Sequence, residues 1–197
     1  ERLFSTMNNG VREQDAGTYD KKTAGGIRIL HTMLAVSEAE WDHVLETASS
    51  EKEACQIVPG LGVHPWQVHS TKPGWLDRLR ARLLASPEAV VGEIGLCKCA
   101  QNVRGAVAKA KNWPIQIAAF KAQLAIAAEL RRPASVHCVK AQGTLLEILR
   151  TADALPPAIA FHSFSGTNEQ VAALLLLPKT CELYFGFSHT VNIAMGG

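Results

Sequence analysis

Six short apolar runs, rich in branched and aromatic side chains, punctuate the chain: RILHTMLAV (28–36), QIVPGLGVH (56–64), AVVGEIGL (89–96), RPASVHCV (132–139), PAIAFHSF (157–164) and CELYFGF (181–187). Each predicts a β-strand. Between them the apolar positions recur at three- and four-residue steps, which predicts helices beginning near Ser37, Gly74, Pro114, Gln142 and Thr167. Ser37 precedes EAEWDHVLETA with Glu40 three residues on, the spacing of a capping box, and Pro114 stands where a first helical turn before IQIAAFKAQLAIAAELR would begin. In that helix Ile117, Phe120, Leu124, Ala127 and Ala128 form a stripe suited to a sheet. Residues 1–26 are polar, Gly-rich and without a period; they are expected to be a loop or poorly ordered lead-in to a single domain spanning 27–197.

Alternating strands and helices predict an α/β fold with a mostly parallel sheet, either doubly wound or closed into a (β/α) barrel. The polar residues favour the barrel. His64, Glu93, His137, His162 and Ser188 each fall at or near the C-terminal end of a different strand, and in a barrel those ends share one face, where active sites lie. A closed barrel needs eight strands. The expectation is therefore a TIM-like barrel, incomplete in these residues, with a first-strand and a late-strand segment outside them.

Glu93 raises the chemical question, because a buried and unpaired carboxylate is strongly disfavoured. It is turned to solvent, paired with a cation, or bound to metal. A single strand histidine is more often structural than functional. Three histidines and a carboxylate on separate strand ends, however, are all satisfied at once by a shared divalent metal centre with nitrogen and oxygen ligands. Such a centre activates water for hydrolysis, and a second ion bridged by Glu93 would stabilise a leaving phosphodiester oxygen. The weaker candidates are His31, read as packed inside its strand, His43 on an exposed helix face, His69 in a loop, and His189 after YFGFS. Cys97 and Cys99 form a C-x-C pair, and Arg131 and Arg132 suit a helix C-terminus. The phosphate-loop, nucleophile-elbow and dinucleotide fingerprints are missing from the sequence, which removes most support for nucleotide-cofactor and serine-hydrolase readings.

Composition adds little. Hydrophobic residues make up 47% of the 197 positions, which suits a globular core. Lys and Arg exceed Asp and Glu by only 20 to 18, permitting nucleic-acid contact without arguing for it. The five cysteines, Cys55, Cys97, Cys99, Cys138 and Cys181, are odd in number and lack paired C-x-x-C spacing, which fits a reducing compartment. Without an apolar run near 20 residues or a signal-peptide core, the expectation is an intracellular protein, cytoplasmic or nuclear, with no membrane contact.

Taken in order, GLGVHPW (60–66), VGEIGL (91–96), FKAQLAIAAEL (120–130), RPASVHCVKAQG (132–143), FHSFSG (161–166) and YFGFS (184–188) resemble the TatD family of metal-dependent deoxyribonucleases, closest to its eukaryotic branch. The likeness runs from about Ile27 to Asn192. It implies a TIM-like barrel that hydrolyses DNA phosphodiester bonds, as an exonuclease supported by divalent ions, with magnesium first and manganese or zinc as alternatives. By the resemblance Glu93 joins two metals in the complete protein, His137 and His162 are imidazole ligands of one of them, and His64 lies at the scissile phosphate. Glu93 and His64 are the expected catalytic pair. The chain lacks the family's first-strand H-x-H and late metal-binding Asp, and has Cys97 where Asp commonly follows G-E-I-G-L. Two other readings stay open. One is a catalytically impaired scaffold acting through protein partners; the other is an amidohydrolase-like enzyme on a small cyclic amide or ester, with Lys98 or Lys140 as a carboxylation site.

Overall fold

The computed structural model of the protein describes residues 30–50, 56–189 and 191. All six predicted strands form: β1 (Leu30–Leu34), β2 (Gln56–Leu61), β3 (Val90–Cys97), β4 (Ala134–Val139), β5 (Ala158–His162) and β6 (Glu182–Phe185). They pair in parallel and in strict chain order, β1-β2-β3-β4-β5-β6. A doubly wound sheet reverses its order at a switch point. This one does not, so right-handed crossovers carry every connecting helix to the same face, as in an arc of a (β/α) barrel.

The helices are α1 (Trp41–Ser50), α2 (Trp75–Ala85), α3 (Ala106–Glu129), α4 (Gln142–Thr151) and α5 (Asn168–Leu174). None is long and apolar enough to cross a membrane. The main core includes Leu61, Val91, Ile94, Leu96, Val136, Ile159 and Phe161 from the strands and Leu79, Leu83, Phe120, Leu124, Leu145 and Leu149 from the helices. Burial on both faces of the inner strands β2 to β5 explains why they read as near-continuous apolar runs rather than alternating ones. Along β3 every residue is buried except Glu93, which is half-buried.

Four expectations need correction or placement. The third helix starts at Ala106 rather than Pro114, which lies inside it. An interior proline removes one backbone donor and costs about 3 kcal/mol; here the Ala- and Lys-rich turns before it have high helix propensity, and the helix is anchored by the buried Phe120, Leu124 and Ala127 beyond it. Ser37 makes no side-chain cap; Glu40 Oε2 instead accepts from the Val36 amide at 2.9 Å. The capping box is at α5, where Thr167 and Gln170 bond reciprocally. His31 is exposed on β1 rather than packed inside. Residues 1–26, expected to be a loop, lie outside the described residues.

One backbone contact fixes the geometry that follows. Gly95 pairs with His137 across β3 and β4, and a Cβ at Gly95 would lie 1.9 Å from the His137 carbonyl oxygen. The Gly95 φ of 144° also falls in a region that side chains rarely adopt. Gly95→Ala should therefore lose about 1–3 kcal/mol or more in urea denaturation. By contrast Gly143, inside α4 with open space around it, should accept Ala and gain up to about 1 kcal/mol in the same measurement.

Candidate metal centre

The sheet splits at its C-terminal edge, and the split makes the site. The β2–β3 ladder consists of Gly60↔Val90 and Leu61↔Val91. Beyond it the strands diverge around a cleft of about 350 Å³ whose lining includes His64, Trp66, Glu93, His137, His162 and Ser163. Backbone groups freed by the split need other partners. Gln123 of α3 supplies one pair: its Oε1 accepts from Val63 N at 2.7 Å and its Nε2 donates to Val63 O at 3.1 Å. Gln116, two turns earlier, does the same for Cys97, at 3.0 and 3.3 Å. Trp41 Nε1 donates to Gly62 O at 2.9 Å. Both glutamines are completely buried. Sequence reasoning missed them, although two amides seven residues apart on the stripe of Phe120 and Leu124 were a visible signal.

Three of the expected residues converge. Nδ1 of His137 donates to Glu93 Oε1 at 3.1 Å, His64 Nε2 lies 3.8 Å from the same oxygen, and the two imidazoles meet edge to face at 4.4 Å. One ligand atom from each of His64, Glu93 and His137 lies within 4.8 Å of the others. His162 pairs in register with His137 on β5 and lines the cleft, but it is exposed at the rim and outside this cluster. Of the weaker candidates, His69 bonds Asn102 beside the cleft at 2.8 Å, while His43 is exposed on α1.

The electrostatics distinguish the two inner histidines. Burial, reinforced by the neighbouring His137, lowers His64 from 6.5 to about 4 despite the pull of Glu93. It is neutral. Its Nδ1 accepts the Trp66 amide at 3.2 Å, so the proton sits on Nε2 and His64 offers the cleft a donor rather than a lone pair. For His137, burial acts downward but is outweighed by the Cys97 thiol and the Glu93 carboxylate, which raise it to about 9. Burial pushes Glu93 up, yet its bond to His137 and the surrounding imidazoles hold it below the ordinary carboxylate value. Cys97 is likewise lowered against its burial, by His137 and by Trp66, whose Nε1 donates to Sγ at 3.1 Å.

This donor set fits a divalent cation. Nε2 of His137 is buried with no hydrogen-bond partner, and an ionised carboxylate stands beside it. A cation at that nitrogen competes with the proton that His137 otherwise carries.

The family model described as TatD related DNase matches residues 7–195. The chain belongs to that family. Among curated relatives of this TatD-family chain, the 3′-5′ ssDNA/RNA exonuclease TatD of Edwardsiella piscicida is 36% identical over 132 residues, covering 64% of this chain and 44% of that protein. The Cut9-interacting protein scn1 of Schizosaccharomyces pombe is 27% identical over 158 residues, 60% of this chain and 47% of that protein. Among solved structures, the TatD homolog YJJV from Escherichia coli has a TM-score of 0.62 at 22% identity, over 77% of this chain and 54% of that one, which shows a common fold. The TatD-family chain thus spans about half the length of the curated relatives it matches.

Two measurements check the site's internal physics. In chelator, the depressed His64 makes stability fall as pH drops from 6.5 toward 4, because the unfolded chain takes up the proton first. The raised His137 makes stability fall as pH rises from 6.5 through about 9, because the folded chain holds its proton longer. Thermal unfolding across pH should show both limbs, with His64→Gln flattening the acid one and His137→Gln the alkaline one. Gln123→Leu leaves the Val63 N–H and C=O buried and unpaired, and should cost about 1–3 kcal/mol in urea.

Proposed function

We propose that the cleft hydrolyses DNA phosphodiester bonds in a reaction that depends on a divalent cation held by Glu93 and His137, with His162 at the rim as a further donor. The observation that carries this reading is the Glu93–His137–His64 cluster at the strand ends of a TatD-family chain. When bound, the cation supplies charge neutralisation for a phosphate and acidifies water. Glu93 is ionised at neutral pH and gives the site its negative charge. His137 presents Nε2 once its proton has left, with Nδ1–H anchored on Glu93 so that the ring keeps its orientation. His64, neutral with its proton on Nε2, donates to a non-bridging phosphate oxygen in the cleft. The low His64 value keeps that donor unchanged through the neutral range.

The finer assignment is an exonuclease, as the Edwardsiella relative's name reads, with Glu93 as the carboxylate that would hold divalent ions there. Magnesium is the first ion to test. The described donors include more nitrogen than oxygen, which favours manganese or zinc at the His137 position. A second reading, a scaffold for a protein partner, has one observation behind it: the fission-yeast relative is named for an interaction.

Nucleotide release from linear DNA is the test, with magnesium or manganese against chelator, on wild type and Glu93→Gln. Release should require the ion and fall by about 100-fold or more in Glu93→Gln. A folded wild type that releases nothing across ions and DNA forms would move the assignment to the scaffold.

A further inference from the structure

The cations of the chain fall into two groups. On α2 each arginine between 78 and 82 is neutralised by an acid: Arg78 by Glu38, Arg80 by Glu129 and Arg82 by Asp42. The segment after β3 is different. Between Glu93 and Glu129 the sequence holds five cations and no acid. All five are exposed and none forms an ion pair among the described residues; four of them, Lys98, Arg104, Lys109 and Lys111, fall between the end of β3 and the first turns of α3. Lys98 instead lies over the Trp113 ring at 5.3 Å.

The first part of this basic segment is seated beside the cleft. Asn102 reaches the Trp66 carbonyl at 3.5 Å and His69 Nδ1 at 2.8 Å, so the turn at 101–103 is tied to the loop carrying Trp66. Trp66 itself is 53% exposed and lines the cleft. Its indole is held in place, with Nε1 donating to Cys97 Sγ at 3.1 Å and one edge against His64 at 5.4 Å and 86°. An indole left half in water, yet fixed beside the reactive centre, offers a flat apolar face that no residue of the protein fully covers.

We propose that Trp66 and the basic segment from Lys98 to Lys111 form a track for single-stranded nucleic acid. The indole stacks on the nucleobase next to the bond in the cleft, and Lys98, Arg104, Lys109 and Lys111 carry the phosphates of the flanking nucleotides. The combination of an aromatic platform and an exposed basic segment suits a single strand, whose bases have free faces; in a duplex those faces are stacked on one another. The track rests on the phosphodiesterase reading for its place beside the reacting bond, but its binding is measurable separately.

The test uses fluorescence anisotropy of a labelled 15-mer of thymidylate on the full chain in chelator, where nothing is cleaved (about 15 nucleotides cover one to a few binding sites of this kind). Trp66→Leu should weaken binding by about 5- to 150-fold, Trp66→Tyr should restore most of it, and the loss should vanish on an oligonucleotide of abasic sites. The triple variant Arg104→Ala/Lys109→Ala/Lys111→Ala should lower the slope of log affinity against log salt by about 2. It should also leave metal-dependent hydrolysis of bis(p-nitrophenyl) phosphate at the wild-type rate. If both variants bind the 15-mer as wild type does, or if Trp66→Leu loses as much on abasic strands, the track is wrong even where the small diester is hydrolysed. If wild type does not hydrolyse the diester with any ion while the binding losses are seen, the catalytic reading fails and the track stands.

Discussion

The site depends on the hydrogen bond between Glu93 and His137. A carboxylate in the middle of a strand buried on both sides is tolerated only if its charge is met, and the imidazole 3.1 Å away meets it. The same contact raises His137 and lowers Glu93, so each residue keeps the other charged while no cation is present. The pair exists because Gly95 lets the β4 backbone approach at His137. The glycine, the acid and the base are therefore one structural unit spread over two strands.

The opening of the sheet costs backbone hydrogen bonds, and α3 replaces them. Where β2 and β3 part, Gln123 and Gln116 each present an amide that matches the N–H and C=O of one residue, acting as a one-residue strand neighbour. The clamped residues are Val63, next to His64, and Cys97, under Trp66. A cleft cut into a sheet would ordinarily be wet and mobile at its walls; here both walls are fixed to a single 24-residue helix. That is how a site assembled from β2, β3 and β4 keeps one geometry.

The inner strands β2 to β5 were legible because burial on both faces leaves few polar positions to blur them, and the residues Glu93, His64 and His137 stood out as exceptions. The start of α3 was not legible. Pro114 looks like a first turn, and only the packing of Phe120 and Leu124 shows that the helix absorbs it. Ser37 and Thr167 carry similar start signals, yet at Ser37 the Glu40 side chain takes the Val36 amide, a choice the sequence leaves undetermined. Similarly, His162 shares the register of His137, but register fixes only the strand position, and the exposed end of β5 places it at the rim. The buried glutamines share the stripe of Phe120 and Leu124, but their role follows only from the divergence of β2 and β3, which gives their amides something to bond.

Cys97 ties the two halves of the site together. A carboxylate at this position would add a second formal charge beside His137. The thiol accepts the Trp66 indole proton and lies against His137 within the apolar surroundings of Ala100 and Val103. Unlike a carboxylate, it is tolerated there without further partners. Glu93 then carries the formal negative charge of the cluster around His137, and the indole bonded to the thiol is held at the mouth of the cleft. The thiol therefore fixes two properties together: the formal charge beside His137 and the position of the Trp66 indole.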